Sequence, residues 1–77
     1  MEKLILHNDE ENSFLKIVAS LIKNCDYNPM QAEQATVIAE VNGKVTIREG
    51  DVVDMILLEQ EFLELNIKVT RETIIDY

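Results

Sequence analysis

Glycine, proline, cysteine and aromatic residues are all scarce in this sequence, which contains two glycines, one proline, one cysteine and no tryptophan. Two glycines cannot form the glycine-rich loop that cradles phosphate groups. Cys25 has no second cysteine with which to form an internal disulfide bond. The one histidine, His7, and Cys25 supply too few ligands for a zinc site. We therefore predict that the chain binds no metal and no cofactor.

Basic residues are also few: seven lysines and arginines stand against fifteen acidic residues, for a net charge of −8. Nucleic acids and anionic membrane surfaces are bound by clustered positive charge, so we predict neither as a partner. The charge suits a cationic partner, such as a free α-amino group or a basic protein surface. The apolar run from Leu4 to Leu6 is far too short for a signal peptide or a membrane span, so we expect a cytoplasmic protein.

Hydrophobic periodicity predicts six elements in the order β-α-α-β-α-β. Helices are expected over residues 13–25, from Pro29 to about 42, and over roughly 52–65, with strands at 3–7, 44–48 and 67–71. The second helix has a buried face of mostly small residues, namely Ala32, Ala35, Ile38 and Ala39. The tail over 73–77 is apolar enough to pack or to join an interface. We predict a single α+β domain over 1–77, with a three-stranded, mostly antiparallel sheet covered by three helices.

No group of residues in the chain indicates catalysis. Cys25 ends an apolar helical stripe, which is typical of a buried and inert thiol. The acidic run after Asp9 has the oxygen density of a calcium loop but lacks the required glycine and glutamate, because Phe14 and Ser20 occupy those positions. We therefore predict that the protein is not an enzyme and has no catalytic residues.

The loop that begins at Asn8 and Asp9 lies between the first strand and the first helix. Asparagine and aspartate commonly build turns, and these two residues need do nothing more than that. Their side chains can also present hydrogen-bond acceptors to a partner, beside the free N–H groups of a helix start.

Leu6-His7-Asn8-Asp9, with Phe14 five residues after the aspartate, resembles the start of the ClpS family. With that loop aligned, Gln31 to Ala35 and the Gly43-Lys44 pair match family positions without a gap. Members of the family are small adaptors that capture destabilising N-terminal residues and deliver the substrate to a Clp unfoldase. The resemblance implies that this chain is a divergent ClpS-like adaptor whose partners are substrate N-termini and a Clp-type AAA+ unfoldase.

The family's binding site implies roles for nine residues of this chain. Three residues would surround the substrate's α-ammonium group, namely Asn8, Asp9 and Glu40, the last at the position of a family histidine. Six would surround the first side chain of the substrate, namely Asn12, Phe14, Ile17, Thr36, Ala39 and Ile67. A glutamate at position 40 can accept a strong, charge-assisted bond from an ammonium group. Equally, it would place a like charge beside Asp9, or it is an exposed helix residue in a protein that has lost the pocket.

Three further departures from the family bear on function. Thr36 replaces a large gating methionine or leucine and Ala39 replaces a valine, so a retained pocket would be wider or more polar. Only Met1, Glu2 and Lys3 precede the apolar run that begins at Leu4, so delivery through an N-terminal extension is expected to be impaired unless the N-terminus has been trimmed. One alternative is therefore a ClpS-fold interaction domain that has lost N-terminal residue binding. A weaker one, by fold analogy alone, is a domain like the C-terminal domain of the ribosomal stalk protein.

Overall fold

The computed structural model describes residues 1–75 and has the predicted α+β architecture, with the elements in the order β-α-α-β-α-β. The elements are β1 (Glu2–His7), α1 (Phe14–Cys25), α2 (Pro29–Asn42), β2 (Lys44–Gly50), α3 (Val52–Glu64) and β3 (Val69–Thr73). The sheet order is β2-β1-β3, and β1 pairs antiparallel with both neighbours. The first strand of the chain is therefore the centre of the sheet.

One face of the sheet is covered by the helices and the other carries polar side chains. Leu4 and Leu6 of β1 are fully buried in the core that the helices share. Ile5 points the opposite way, because successive side chains of a strand alternate between faces. On that outer face Lys3 pairs with Glu72, and a ring nitrogen of His7 hydrogen-bonds to the Thr70 hydroxyl. These polar neighbours help to leave Ile5 only 3% exposed.

A β-bulge in β2 sends two consecutive side chains to the helical face. Leu4 lies opposite Arg48 and Ile5 lies opposite Thr46, so Ile47 is the extra residue. Ile47 is buried, and its carbonyl oxygen accepts a hydrogen bond of 2.5 Å from the Tyr27 hydroxyl. Arg48 shares the face of Leu4, and its guanidinium donates to the carbonyl of Cys25, the last residue of α1. A positive group there complements the negative end of the helix dipole.

Local side-chain and backbone hydrogen bonds mark most of the helix ends. Ser13 accepts from the Lys16 N–H at the start of α1. Asn28 and Gln31 form a reciprocal capping box at the start of α2, and Gly43 ends that helix at φ 90°. Asp51 occupies the N-cap position of α3, but its side chain makes no capping hydrogen bond.

Two local predictions are wrong. The last strand spans Val69–Thr73 instead of 67–71, because Asn66 adopts a left-handed conformation at φ 61° and the Ile67 N–H bonds back to the carbonyl of Phe62 at the end of α3. Ile38 is 42% exposed and does not belong to the buried face of α2. In the tail, the Ile74 N–H bonds to the carbonyl of Met1, Ile75 is exposed, and Asp76 and Tyr77 lie outside the described residues.

An ionic cluster joins the sheet to α3. Arg71 of β3 donates to the carboxylates of Glu2 in β1 and Glu59 in α3, at 2.6 and 2.9 Å. The hydrogen bond from Arg71 lowers the pKa of Glu2 below its ordinary value, although burial of that carboxylate opposes the shift. The cluster thus connects the two ends of the chain to the third helix.

The bulge yields a stability prediction. Replacing Tyr27 by phenylalanine leaves the buried Ile47 carbonyl without its donor, so Tyr27→Phe is expected to lower the free energy of unfolding by about 1 kcal/mol. Urea denaturation followed by circular dichroism measures the loss. Thr46→Val removes a hydroxyl from the exposed face of the same strand, and its effect is expected to stay within about 0.5 kcal/mol. Equal stability of Tyr27→Phe and the unmodified protein would contradict this role of Tyr27.

Candidate functional site

The loop over residues 8–13 begins at the C-terminal end of the central strand, so it meets elements on both sides. The Asn8 N–H donates to the carbonyl of Gly43, between α2 and β2, at 2.8 Å. The His7 N–H donates to the carbonyl of Lys68, just before β3, at 3.1 Å. The loop is therefore held between the end of α2 and the start of β3.

Asp9 organises the loop. Its side chain is only 7% exposed, and one carboxylate oxygen accepts from the backbone N–H groups of Glu11 and Asn12 at 2.9 and 3.3 Å. The other oxygen accepts from the Asn12 side-chain amide. Burial alone would raise the pKa of Asp9, but these hydrogen bonds, with a smaller contribution from the Lys68 amide, outweigh burial and lower that pKa. Asp9 is thus held as a carboxylate.

Asn12 connects the loop to two other parts of the fold. Its amide nitrogen donates to the carbonyl of Asn66 at 2.8 Å, and its amide oxygen accepts from the Lys16 ammonium at 2.6 Å. Neither Lys16 nor Asn66 was predicted from the sequence to take part in the site. Lys16 lies four residues after Asn12, in the first turn of α1, and that spacing is one at which two side chains can interact. The contact with Asn66 spans 54 residues and had no local signal.

The backbone of Asn8 contacts the end of α2, the helix that carries Glu40. Asn8 is exposed and bonds through its N–H to Gly43, which follows Glu40 by three residues. Glu40 is exposed on the last turn of α2. Within residues 1–75 its carboxylate forms no hydrogen bond or ion pair. The structure therefore brings Asn8 to Gly43, three residues beyond Glu40, and Glu40 makes no hydrogen bond to Asn8 or Asp9.

The six residues predicted to surround a substrate side chain lie in or beside the hydrophobic core. Ile17, Ala39 and Ile67 are buried members of the core cluster, and half-buried Phe14 packs against it. Thr36 is 1% exposed, and its hydroxyl donates to the carbonyl of Ala32 at 2.7 Å. That hydroxyl is satisfied within its own helix, so Thr36 presents no unpaired polar group. Asn12, the sixth residue, is half-buried in the loop.

Three further features bear on metal binding, thiol chemistry and membrane insertion. In the part of the chain that the structure describes, no three His, Cys, Asp or Glu side chains are grouped so that they could hold a metal ion. Cys25 is buried, and burial raises the pKa of its thiol. None of the helices within residues 1–75 is both long and apolar enough to span a membrane.

The hydrogen bonds of Asp9 predict an acid-dependent stability. Because its pKa is lowered by folding, the carboxylate stabilises the protein above about pH 4, and that contribution is lost as the pH falls through the lower, folded-state value. Asp9→Asn is therefore expected to lower the melting temperature at pH 7, and the difference from the unmodified protein should shrink toward pH 2. Glu10→Gln removes the same charge from an exposed site in the same loop and is the control. A difference that persists unchanged at pH 2 would show that the charge of Asp9 is not what stabilises the loop.

Comparison with known proteins identifies the family. A match to the family described as ATP-dependent Clp protease adaptor protein ClpS covers residues 1–64, from β1 to the end of α3. The match includes the Asn8-Asp9 loop and Glu40 but ends before Asn66 and Ile67. No curated protein matches the chain significantly. The family is one of non-catalytic adaptors, in agreement with the prediction that the chain is not an enzyme. Since the match covers most of the 77 residues, the chain belongs to the ClpS family of Clp protease adaptor proteins.

Proposed function

We propose that this protein binds the N-terminal residue of a substrate polypeptide and links that substrate to a Clp-type AAA+ unfoldase. The observation that carries the proposal is the hydrogen bond between the Asn8 N–H and the carbonyl of Gly43. This bond fixes the Asn8-Asp9 loop against the end of α2, where Glu40 lies. Family membership supports a Clp partner in general, and the arrangement of the loop supports capture of an amine.

Asp9 supplies negative charge to the amine site. A carboxylate has about four lone-pair positions, and three of those of Asp9 are used by Glu11 and Asn12. Because the Lys68 amide also interacts with this carboxylate, Asp9 acts on an ammonium group through its negative charge. The bonds within the loop also hold Asp9 ionised, so its charge is present before a ligand arrives. Asn8 and Glu40, both exposed, add two further acceptors on the solvent side.

The residues proposed to surround the first side chain of the substrate are mostly apolar. Ile17, Ala39 and Ile67 are buried in the core, and Phe14 and Asn12 are half-buried. Thr36 contributes a methyl group because its hydroxyl is bound to Ala32. With a threonine and an alanine lining it, the pocket has more room than one with larger residues at the same positions.

Binding of short peptides tests amine recognition. A panel of peptides that differ only in the first residue is titrated against the protein by calorimetry or fluorescence anisotropy, each peptide with a free and with an acetylated N-terminus. The free-amine peptides are expected to bind at least about tenfold more tightly, since a hydrogen bond to a charged group contributes about 1.5–3 kcal/mol. Equal binding of both forms would rule out amine recognition.

Substitution of Glu40 then tests its role in the clamp. Glu40→Gln removes the charge with little change of shape and is expected to weaken binding of the free-amine peptides about tenfold. Glu64→Gln, a matched loss of charge at an exposed position of α3, should leave that affinity unchanged. If Glu40→Gln binds as tightly as the unmodified protein, Glu40 is a surface residue and the clamp consists of Asn8 and Asp9 alone.

A second function, docking without N-terminal residue binding, is favoured by two observations. Glu40 makes no side-chain bond within residues 1–75, and most of the pocket residues pack as core. Unfoldase binding by the Asn8→Ala, Asp9→Ala double variant distinguishes the two. If the double variant still binds the unfoldase and free-amine peptides do not bind, the protein is a docking domain. If free-amine peptides bind and the double variant loses them, N-terminal recognition holds.

A further inference from the structure

α2 has two opposed apolar faces, and only one of them is buried. Ala32, Ala35, Thr36 and Ala39 form the buried face. At 100° per residue, Met30, Val37 and Val41 lie on the opposite side, within about 60° of one another, and Ile38 adjoins them. These four residues, here named the outer stripe, are 68%, 45%, 77% and 42% exposed in the order Met30, Val37, Val41 and Ile38. A helix that is apolar on opposite sides is normally covered on both.

The shape of the outer stripe fits a helix. From Met30 to Val41 the stripe runs about 16 Å along α2, which is three helical turns. Ile38 stands between two hollows of about 300 and 360 Å³. The first is lined by Tyr27, Gln31, Gln34, Ala35, Ile38 and Val45, and the second by Glu33, Gln34, Val37 and Ile38. Large side chains at i and i+3 or i+4 of a partner helix would fill adjacent hollows of this kind.

The acidic residues beside the outer stripe favour a basic binding partner. Glu33 and Glu40 flank one side of it, both are exposed, and α2 contains no lysine or arginine. A second copy of the chain would bring these glutamates toward like charges and would join two molecules of net charge −8. A partner helix with lysine or arginine residues beside its apolar face would instead place positive charges next to Glu33 and Glu40. The complementary surface is therefore apolar in the middle and basic at the rim.

We propose that the outer stripe of α2 is a docking surface for a basic amphipathic helix of another protein. The apolar face of that helix covers Met30, Val37, Ile38 and Val41, and its lysine or arginine side chains pair with Glu33 and Glu40. This surface shares Glu40 with the proposed amine site, but its apolar residues lie opposite Thr36 and Ala39 on the buried side of the same helix.

Binding of designed peptides to the full chain tests the proposal. The probe is a fluorescent, N-acetylated peptide of about 15 residues, long enough to form a helix, with leucines along one face and lysines beside them. Acetylation removes the α-amine, so the peptide cannot bind as a free N-terminus. A version with glutamates in place of the lysines and a scrambled version of the same composition are compared. The basic amphipathic peptide is expected to bind at least about tenfold more tightly than either.

Variants locate the bound peptide. Val37→Glu and Val41→Glu are expected to weaken binding about tenfold, which corresponds to about 1.4 kcal/mol, and Glu33→Lys should weaken the basic peptide and strengthen the acidic one. Leu63→Glu adds the same charge at a half-exposed position of α3 and should change binding less than twofold. All four substitutions are at exposed positions, and circular dichroism checks that each variant is folded.

Three results would overturn the proposal. The basic peptide could bind no better than its scrambled version. Binding could be lost in Leu57→Glu but kept in Val37→Glu, which would place the peptide in the acidic groove between α1 and α3, where Asp54 and Glu61 lie. Sedimentation could show a dimer that Val37→Glu dissociates, which would make the occupant a second copy of the chain.

Discussion

The buried carboxylate of Asp9 is the contact on which the candidate site depends. It folds the loop around itself through Glu11 and Asn12, and Asn12 then reaches both Lys16 and the carbonyl of Asn66. One ionised group thus determines the shape of the loop and its attachment to α1 and to the segment before β3. Without this carboxylate, the loop, the start of α1 and the segment before β3 would lose the hydrogen bonds that join them. Asn8, which immediately precedes this aspartate, adds a backbone bond to Gly43 at the end of α2.

Most of the fold could be predicted from the sequence because its signals are local. The capping box at Asn28 and the left-handed Gly43 involve residues within a few positions of each other, and they bound α2 close to the predicted range. The start of β3 was misplaced because Ile67 bonds to Phe62 after a left-handed turn at Asn66, and apolar alternation does not reveal that turn. The bulge at Ile47 was equally hidden, since Val45 and Ile47 still alternate along β2.

The candidate site was only partly accessible to sequence reasoning. Asn8 and Asp9 stood out as a polar pair between a strand and a helix, and Asp9 forms the kind of local turn that aspartate favours. The relation of this loop to Glu40 and Ile67 depends on how distant elements pack, and no local pattern encodes it. The exposed face of α2 was missed because Ile38 was assigned to the alanine side. With small residues inward, α2 carries its larger apolar side chains outward.

The central position of β1 has a consequence for how the chain folds. Glu2 pairs with Gly50 on one side and with Thr73 on the other, so both neighbours of β1 come from far along the chain. Closing such long loops is entropically costly, and chains dominated by contacts between distant residues fold slowly. Until β3 pairs with β1, the backbone N–H and C=O groups on one side of Leu4, Ile5 and Leu6 have no strand partner. Within this domain, β1 therefore keeps one unpaired edge until β3 has folded against it.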